Sequence, residues 1–596
     1  MRRLYIIFIK RNTFILDRLK QLILFFVLIN TQLSSSQQTL ALDESVFVHA
    51  NATTFVTGET LLFKVYCLKS SDKTPSIISK IAYIELVDSS KKSVFKTKIA
   101  LKNTTGQGDF FIPTTLKTGS YKLIGYTNWM LNKPLSEFFQ IDITIINPFK
   151  IIEKTSNEKN GYIENKILLS NKTVSHTNKN TLTNPNVQFN LPKKTLSHRE
   201  LVNLQIKSEN KLFNNGNYSL SVRKIDDLTT TSQITGEEFA KLSNKITFLQ
   251  TQNQADKIYL PELRGEIISG KITSKDNTDN LKNKAVALSI PGKYFTFKIA
   301  QTDGQGNFIF NLHNIYNTSN ITVQIVDEKA NNYSLTLYNN PNINYSELSL
   351  NEHPNLSFSK KEILLNRSIS TQIENAYFYK KTDSLVNQVE INPFYNSFEK
   401  EYILDDYTRF KTLKETITEV ATDIYIKQLN GNYYLHVIDP NVFPQLPKSA
   451  LVLIDGLLLQ NQNDLINYNM NNIFKIDLIA GRYYVGAQSF NGLICFTTFD
   501  KDFKSNQNES SIIKASILRP QPKKAYYTID YSNLSQNERI PDYRYQLLWL
   551  PQLTLAGNEN LISFYTSDVS GTFEISLEGF TDQGIPVSLK DTFEVQ

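Results

Sequence analysis

The stretch Ile473–Phe499, IFKIDLIAGRYYVGAQSFNGLICFTTF, decides the fold that the sequence predicts for the second half of this chain. Its two apolar runs, Ile473–Ile479 and Gly492–Thr498, have the length and composition of buried strands. A third run, VLIDG at 452–456, lies just upstream and ends in an Asp-Gly turn signal. The three runs therefore predict neighbouring strands in one small domain.

A helix belongs to the same domain. Leu413, Ile417 and Val420 recur at spacings of 4 and 3 within 410–420, which places them on one face of an amphipathic helix. With a further strand around Tyr433–Val437, the segment 403–505 is predicted to be a small α/β unit.

This α/β unit resembles the plug domain of TonB-dependent receptors. The opening stretch matches the final part of the plug pattern at Ile473, Ile476, Gly481, Gly486, Asn491, Gly492, Ile494, Thr497 and Thr498. In that family the plug precedes a membrane barrel of about 22 strands, which at roughly ten residues a strand needs several hundred residues. Fewer than a hundred residues follow Phe499. The resemblance therefore implies a plug-like domain without a pore.

The first 36 residues have the pattern of an export signal. Basic residues lead into the apolar run Leu22–Ile29, which is far shorter than the about 20 residues of a membrane span, and small polar residues follow it. A membrane anchor is the alternative interpretation. Removing this segment takes away six basic residues and one acid and lowers the formal charge from +7 to +2. A nearly neutral exported chain gives no argument for nucleic-acid binding.

Short alternating runs over 42–148 predict seven strands, and hence a β-sandwich. The runs SVFVHANATTFVTGETLLFKVY (45–66) and GDFFIPTTLKTGSYKLIGYTNWM (108–130) resemble the macroglobulin-type domain of Bacteroidota surface proteins. The Cys-Gly-Glu-Gln thioester of macroglobulin protease traps is absent from the sequence. The resemblance therefore does not extend to covalent trapping.

Two further β segments are predicted as separate domains. The segment 149–186 is rich in Asn, Lys, Thr and Ser and is predicted to be a linker, after which strand signals predict a second small sandwich over 187–260. The segment 519–596 resembles the terminal sandwich that follows the plug in the same surface proteins, through Trp549 and the FYTSD run at 564–568.

Residues 261–340 resemble a carboxypeptidase-regulatory-like β-sandwich, with Gly270 and the TDGQGNF run at 302–308 in the expected places. The Asp303-Gly304 pair has too few oxygen ligands around it for an EF-hand-type calcium loop, so a hairpin turn is the preferred interpretation. The segment 341–402 is an uncertain connector whose apolar runs fit either short strands or one helix. The predicted fold class is therefore mainly β, with tandem β-sandwich domains plus a small α/β plug-like domain.

Residues that carry chemistry are sparse. Six histidines are scattered without zinc-ligand spacing, and no nucleophile elbow, phosphate loop or dinucleotide fingerprint occurs. Cys67 and Cys495 are predicted to be buried free thiols. For the acidic cluster at 399–406, stabilisation of a helix start is preferred over a metal site. We therefore predict no catalytic residue, no cofactor and no metal.

Arg482, Tyr483 and Tyr484 are the candidate partner-binding residues. A guanidinium beside two aromatic rings has the composition of a protein-interface hot spot. Because all three lie at the end of a predicted strand, packing within the domain is the alternative.

These observations predict a non-catalytic interaction or scaffold component of an outer-membrane complex. The partner would be an outer-membrane β-barrel protein of an uptake, secretion or barrel-assembly machinery, and membrane association would be peripheral, through that partner. The alternative is a periplasmic or surface module that binds glycan or peptide. An enzyme is disfavoured only by the missing motifs.

Overall fold

The computed structural model describes residues 41–150, 182–228, 231–242, 247–248, 258–276, 280–292, 295–313, 318–327, 329–338, 343–350, 358–386, 395, 397–439, 448–505, 509–532 and 540–596. The predicted export signal lies outside these residues, as does most of the predicted linker. The chain divides into two compact units, Met1–Asp43 with Ile246–Lys257, and Glu44–Lys245 with Ile258–Gln596.

The strands are numbered in chain order. The first group is β1 (Ala41–Leu42), β2 (Ser45–Ala50), β3 (Thr54–Val56), β4 (Thr60–Leu68), β5 (Ile81–Val87), β6 (Ser93–Ala100), β7 (Thr105–Phe111), β8 (Gly119–Thr127) and β9 (Phe139–Ile146). The second is β10 (Val187–Asn190), β11 (Thr195–Leu196), β12 (Leu201–Ser208), β13 (Gly216–Lys224) and β14 (Thr247–Phe248). The third is β15 (Glu266–Ser274), β16 (Ala285–Ile290), β17 (Thr296–Gln301), β18 (Asn307–Leu312), β19 (Asn320–Val326) and β20 (Tyr333–Leu337).

The remaining strands are β21 (Ser384–Leu385), β22 (Lys400–Ile403), β23 (Ile424–Leu429), β24 (Asn432–Val437), β25 (Leu451–Ile454), β26 (Leu457–Leu458), β27 (Ile473–Val485), β28 (Gln488–Thr498), β29 (Ile512–Ser516), β30 (Lys524–Ala525), β31 (Gln546–Leu553), β32 (Glu559–Tyr565), β33 (Gly571–Thr581) and β34 (Pro586–Val595). The α-helices are α1 (Gly236–Lys241), α2 (Lys361–Ala376), α3 (Leu413–Glu419) and α4 (Asn463–Ile466). Short 3-10 turns occupy Trp129–Asn132, Leu135–Glu137, Lys211–Asn214, Ala330–Asn332, Phe358–Lys360, Phe378–Lys380, Leu404–Asp406 and Met470–Asn472.

Strands account for 47% of the structure and helices for 13%, which confirms the mainly-β fold class with tandem sandwiches. In the smaller unit β1 pairs antiparallel with β14. No described helix has both the length and the apolar character needed to cross a membrane.

The first sandwich consists of the sheets β2-β4-β7 and β3-β9-β8-β5-β6. The seven runs predicted from the sequence are present as β2 and β4–β9, and β3 adds a parallel pairing with β9. Phe47, Phe63 and Tyr126 are fully buried in its core. The sandwich therefore has apolar packing between its two sheets, as the alternation in the sequence requires.

The second sandwich differs from the sequence prediction, because its strands come from both 187–224 and 546–595. Its sheets are β10-β12-β32 and β11-β34-β33-β13-β31, so the two segments predicted as separate domains share every sheet. β12 pairs with β32, and β13 lies between β31 and β33. Each segment alone has too few strands to cover its own apolar face, and the pairing supplies the missing strands.

The third sandwich comprises β18-β15-β20 and β17-β16-β19-β29, so a strand from 512–516 completes the domain predicted over 261–340. The Asp303 carboxylate accepts hydrogen bonds from the amides of Gln305 and Asn307, at 2.8 Å each, within the turn between β17 and β18. The segment 302–308 is thus a tight turn, but the expected hairpin is wrong, because β17 and β18 lie in different sheets and the turn carries the chain from one sheet to the other.

The α/β unit is built on the sheet β22-β27-β28-β25-β26, with β23-β24 as a separate hairpin. α3 begins with a capping box in which Thr412 and Glu415 satisfy each other's backbone amides. Asp455 and Gly456, both at positive φ, make the tight turn from β25 into β26. The Asp455 carboxylate then accepts hydrogen bonds from Thr498 and Phe503, which ties the turn to the end of β28.

Candidate functional site

The candidate residues Arg482, Tyr483 and Tyr484 lie in the second half of β27, which pairs with β28 in a long hairpin. Because side chains alternate along a strand, Arg482 and Tyr484 share one face while Tyr483 lies on the other. Arg482 is exposed and Tyr484 is 63% exposed. Tyr483 is half-buried in an apolar cluster that contains Cys495 of β28 and Phe297 of the third sandwich. Burial raises the pKa of its phenol.

The end of this hairpin is held against the third sandwich. Val485 is buried in the same cluster, and a side chain placed on Gly486 would meet the Ile299 carbonyl oxygen at 2.9 Å. The structure therefore brings Arg482 and Tyr484 to an accessible face, and Tyr483 to an interdomain contact.

The acidic cluster at 399–406 does not converge on a common point. Glu401 pairs with Lys475 at 2.5 Å, Asp405 pairs with Arg409 at 2.7 Å, and Glu399 accepts from the amide of Ala480. Among the described residues no group of three or more His, Cys, Asp or Glu side chains lies close enough together to hold a metal ion.

The other residues singled out in the sequence have packing roles. Cys67 and Cys495 are buried free thiols, and burial raises both pKa values. His436 is buried and stacks on Tyr425 with ring centroids 5.0 Å apart. Trp549 is buried beside a histidine of the first sandwich.

Helix α2, in the segment predicted as a connector, exposes apolar side chains and buries polar ones. Leu365 and Ile369, one turn apart, are 54% and 43% exposed, and the following turn leaves Phe378 59% and Tyr379 67% exposed. We call these four residues the apolar stripe. The buried side chains of the helix are instead polar, namely Arg367, Ser368 and Ser370. A helix at a protein surface ordinarily turns its apolar face to the core.

The inward face of α2 is fixed by an ion cluster formed with both of the first two sandwiches. Arg367 donates to both carboxylate oxygens of Glu59, at 2.8 Å each, and to Asp226 at 3.0 Å. A further hydrogen bond of 2.7 Å reaches the backbone carbonyl of Thr54. Arg223 lies 3.2 Å from Glu59 and completes a cluster of two guanidinium and two carboxylate groups.

Electrostatics explain why this cluster stays charged although it is buried. Burial by itself lowers the pKa of Arg367, but Glu59 and Asp226 raise it above its ordinary range. Burial raises the pKa of Glu59, and Arg367 and Arg223 more than reverse that effect, so the pKa is lowered. The charges of Arg367 and Glu59 are thus held by their partners, as a buried ion group requires. At Arg223, burial outweighs the attraction of Glu59 and lowers the pKa.

The C-terminal part of α2 is anchored in the same polar manner. Asn375 donates to the Gly58 carbonyl at 3.0 Å, and Glu374 pairs with Lys381 at 2.8 Å while accepting from the amide of Tyr543. Polar contacts therefore run along the inward face from Arg367 to Glu374. They fix the rotation of the helix about its axis, which leaves the apolar stripe on the outside.

Sequence reasoning missed both Arg367 and the apolar stripe. The spacing of Leu365, Ile369 and Ile373 by four residues indicates an apolar face, which in sequence alone predicts that this face is buried. The available signal was Arg367 in the middle of that helix, with Glu59 and Asp226 far away in the chain. Nothing in a single sequence connects these three positions.

Comparison with known proteins gave matches among solved structures alone. No family model matches the chain, and none of the curated proteins matches it. The α-2-macroglobulin of Salmonella reacted with methylamine matches with 8% identity and a TM-score of 0.23, over 93% of this chain and 39% of that one. The native Escherichia coli α-2-macroglobulin matches with 9% identity and a TM-score of 0.23, over 94% and 40%.

A third match comes from Porphyromonas gingivalis. Its dimeric latent PorU matches with 9% identity and a TM-score of 0.15, over 50% of this chain and 33% of PorU. This chain thus spans about two-fifths of the length of the macroglobulins that it matches.

Proposed function

We propose that this protein is a non-catalytic interaction or scaffold component of an outer-membrane complex, and that it docks on a β-barrel partner. The observation that carries the proposal is helix α2, which directs Arg367 into the fold and the apolar stripe outwards. Because buried ion pairs hold this helix in place with its apolar face exposed, we interpret that face as a site of contact with another protein.

The composition of the stripe supports a membrane barrel as the partner. Two aliphatic side chains are followed by two aromatic ones, and Lys361 and Lys380 lie at the two ends. The rim of a membrane barrel carries girdles of aromatic residues between its apolar band and the aqueous phase. A stripe of aliphatic and aromatic side chains complements such a rim in apolarity.

The exposed pair Arg482 and Tyr484 provides a second contact in the same proposal. In the sequence-based hypothesis these residues belong to a plug-like domain that docks by a strand or loop. The finer family assignment, to Bacteroidota surface proteins with macroglobulin-type, carboxypeptidase-regulatory-like and plug-like domains, is part of this proposal, as are export and peripheral attachment at the outer membrane.

The test is co-purification from outer membranes in mild detergent, with the tagged full chain as bait. We expect a stoichiometric barrel protein with the wild type and at least a tenfold loss of it with Leu365→Glu/Ile369→Glu. Arg482→Glu should also weaken the association, with thermal stability nearly unchanged. The matched control is Leu201→Glu/Leu561→Glu, which places the same charges on exposed leucines of the second sandwich.

Three outcomes would contradict the proposal. One is a wild-type chain that comes out of the membrane extract without a barrel protein. Another is full retention of the barrel by the stripe variant, and the third is an equal loss with the control variant. A large drop in thermal stability of Arg482→Glu would return that residue to a packing role.

A further inference from the structure

A cleft of about 490 Å³ lies between the first and second sandwiches. Its floor is one face of the sheet that contains β13, β33 and β34. Along β33 the residues Glu574, Ser576 and Glu578 all line the cleft, while Ile575 and Leu577 point into the core of the second sandwich. The alternation of the strand thus separates a polar face from an apolar one.

The floor is polar across all three strands. Ser221 of β13 pairs with Ser576 of β33, which pairs with Lys590 of β34, so these three side chains form one row. The neighbouring rows are Arg223-Glu574-Thr592 and Ser219-Glu578-Ser588. A polar sheet face is normally open to water, but here the first sandwich covers it.

The wall and the lid come from outside this sheet. The end of β2 and the residues after it, His49 to Thr54, form one wall. Gln233 closes the edge of β2, since its amide accepts from Ala50 N at 3.3 Å and donates to the Val48 carbonyl at 3.2 Å. Arg367 of the ion cluster lies at the far end. Four separate chain segments therefore converge on the cleft.

Charged side chains of both signs line the cleft, and several of them are paired within the protein. Lys590 pairs with Glu574 at 3.1 Å, and Arg367 is held by the two carboxylates described above. Burial raises the pKa of Glu578 to about 8, so at neutral pH its carboxyl group carries a proton. Burial, with Lys590 and Lys64, lowers the pKa of His49 to about 3, so its imidazole is neutral. Lys224 and Asp227 also line the cleft, so cations and carboxylates are both present and neither sign dominates.

Hydrogen-bonding capacity remains unused. Ser576 is only 8% exposed and lines the cleft, and within the described part of the chain its hydroxyl has no partner. A hydroxyl that lines a cleft without a partner in the protein is available to hydrogen-bond a ligand or water there.

We propose that this cleft binds a neutral polyhydroxylated ligand of the size of a mono- or disaccharide. Its volume lies in the range of about 300–1,000 Å³ found for small-molecule sites. Among the described lining residues there is no Phe, Tyr or Trp, so an apolar ligand gains little. Because charges of both signs line the cleft, a ligand of one sign would meet repulsion as well as attraction. Hydroxyl and amide groups that line a cleft of balanced charge complement the hydroxyls of a sugar.

The site is independent of the docking proposal, because it uses neither the apolar stripe nor Arg482. The test uses the full chain and four probes, namely D-glucose, N-acetylglucosamine, maltose and cellobiose, with binding followed by saturation-transfer NMR and calorimetry. We expect saturable binding of at least one probe, weakened about three- to tenfold by Ser576→Ala, the effect of one neutral hydrogen bond. Gln233→Ala, at the lid, is a second site variant that should also weaken binding.

The matched control is Ser563→Ala, which removes an exposed hydroxyl from β32 in the other sheet of the same sandwich. It should bind like the wild type. The proposal is overturned if none of the four sugars binds at millimolar concentration, or if binding is unchanged in both Ser576→Ala and Gln233→Ala. Binding of glycine or a dipeptide in place of every sugar, with the same sensitivity to Ser576→Ala, would overturn the ligand class.

Discussion

Replacement of Arg367 by methionine tests whether the ion cluster holds helix α2 with its apolar side chains exposed. The wild-type guanidinium makes hydrogen bonds of 2.7–3.0 Å to Glu59, Asp226 and the Thr54 carbonyl. Methionine keeps most of the volume but leaves two buried carboxylates with Arg223 as their remaining cation, 3.2 Å from Glu59. Removing one partner from a buried ion group costs about 3–5 kcal/mol.

Hydrogen exchange of the α2 backbone amides measures this cost locally. A global unfolding midpoint does not give this cost in kcal/mol, because a chain of several domains does not unfold in two states. If the ion cluster holds the helix in place, a loss of about 3–5 kcal/mol corresponds to roughly hundredfold to several-thousandfold faster exchange in α2. Lys193→Met, which breaks an exposed pair with Glu200, is the control and should change stability by about 1 kcal/mol or less.

The pH dependence gives a second criterion. The pKa of Glu59 is lowered in the folded protein, so its contribution to stability is present above its unfolded value of 4.5 and is lost as the pH falls through the folded value. The difference between wild type and Arg367→Met should therefore shrink below about pH 4.5. Exchange in α2 that changes less than tenfold, or a difference that persists at low pH, would refute the ion-cluster argument.

Two further predictions concern a buried acid and a turn. The raised pKa of Glu578, about 8 against 4.5, means that the folded chain keeps a proton that the unfolded chain releases, so stability falls as the pH rises between these values. The charged groups near Glu578 are Lys590 and Glu237. In Glu578→Gln the denaturation midpoint should therefore change less with pH between 4.5 and 8 than it does in the wild type. Parallel curves for the variant and the wild type would contradict this prediction. Gly456→Ala should lower the denaturation midpoint more than Gly431→Ala. Both glycines have positive φ, but a Cβ at position 456 would lie 2.2 Å from Phe295, whereas nothing lies within 4 Å of a Cβ at position 431. Equal losses would show that backbone strain alone matters.

The sequence predicted local structure well where the pattern was set by neighbours in the chain. The strands of the first sandwich, the turn at 302–308 and the buried thiols follow from alternation, glycine placement and apolar context within a few residues. The VLIDG run likewise ends in the turn at Asp455 and Gly456 that its composition indicates.

Pairing over long distances could not be predicted in this way. The segments 187–224 and 546–595 each show strand signals, but which strand pairs with which depends on partners more than 300 residues away, such as Tyr218 and Gly579. The same limit explains why Arg367 and the polar floor of the cleft went unnoticed. Serine, glutamate and arginine on alternate positions indicate a solvent-facing strand, and sequence does not show that another domain covers it.

The strand order of the second sandwich determines when this domain can fold during synthesis. β13 is made first, whereas both of its neighbours in the sheet, β31 and β33, lie more than 300 residues later in the chain. The third sandwich and the α/β unit must therefore be synthesised before the sheet closes, and closing so long a loop slows that step. The cleft and the buried position of Arg367 both depend on that sheet. Both thus form only after residues 546–595 have been synthesised, so a chain interrupted before them has neither.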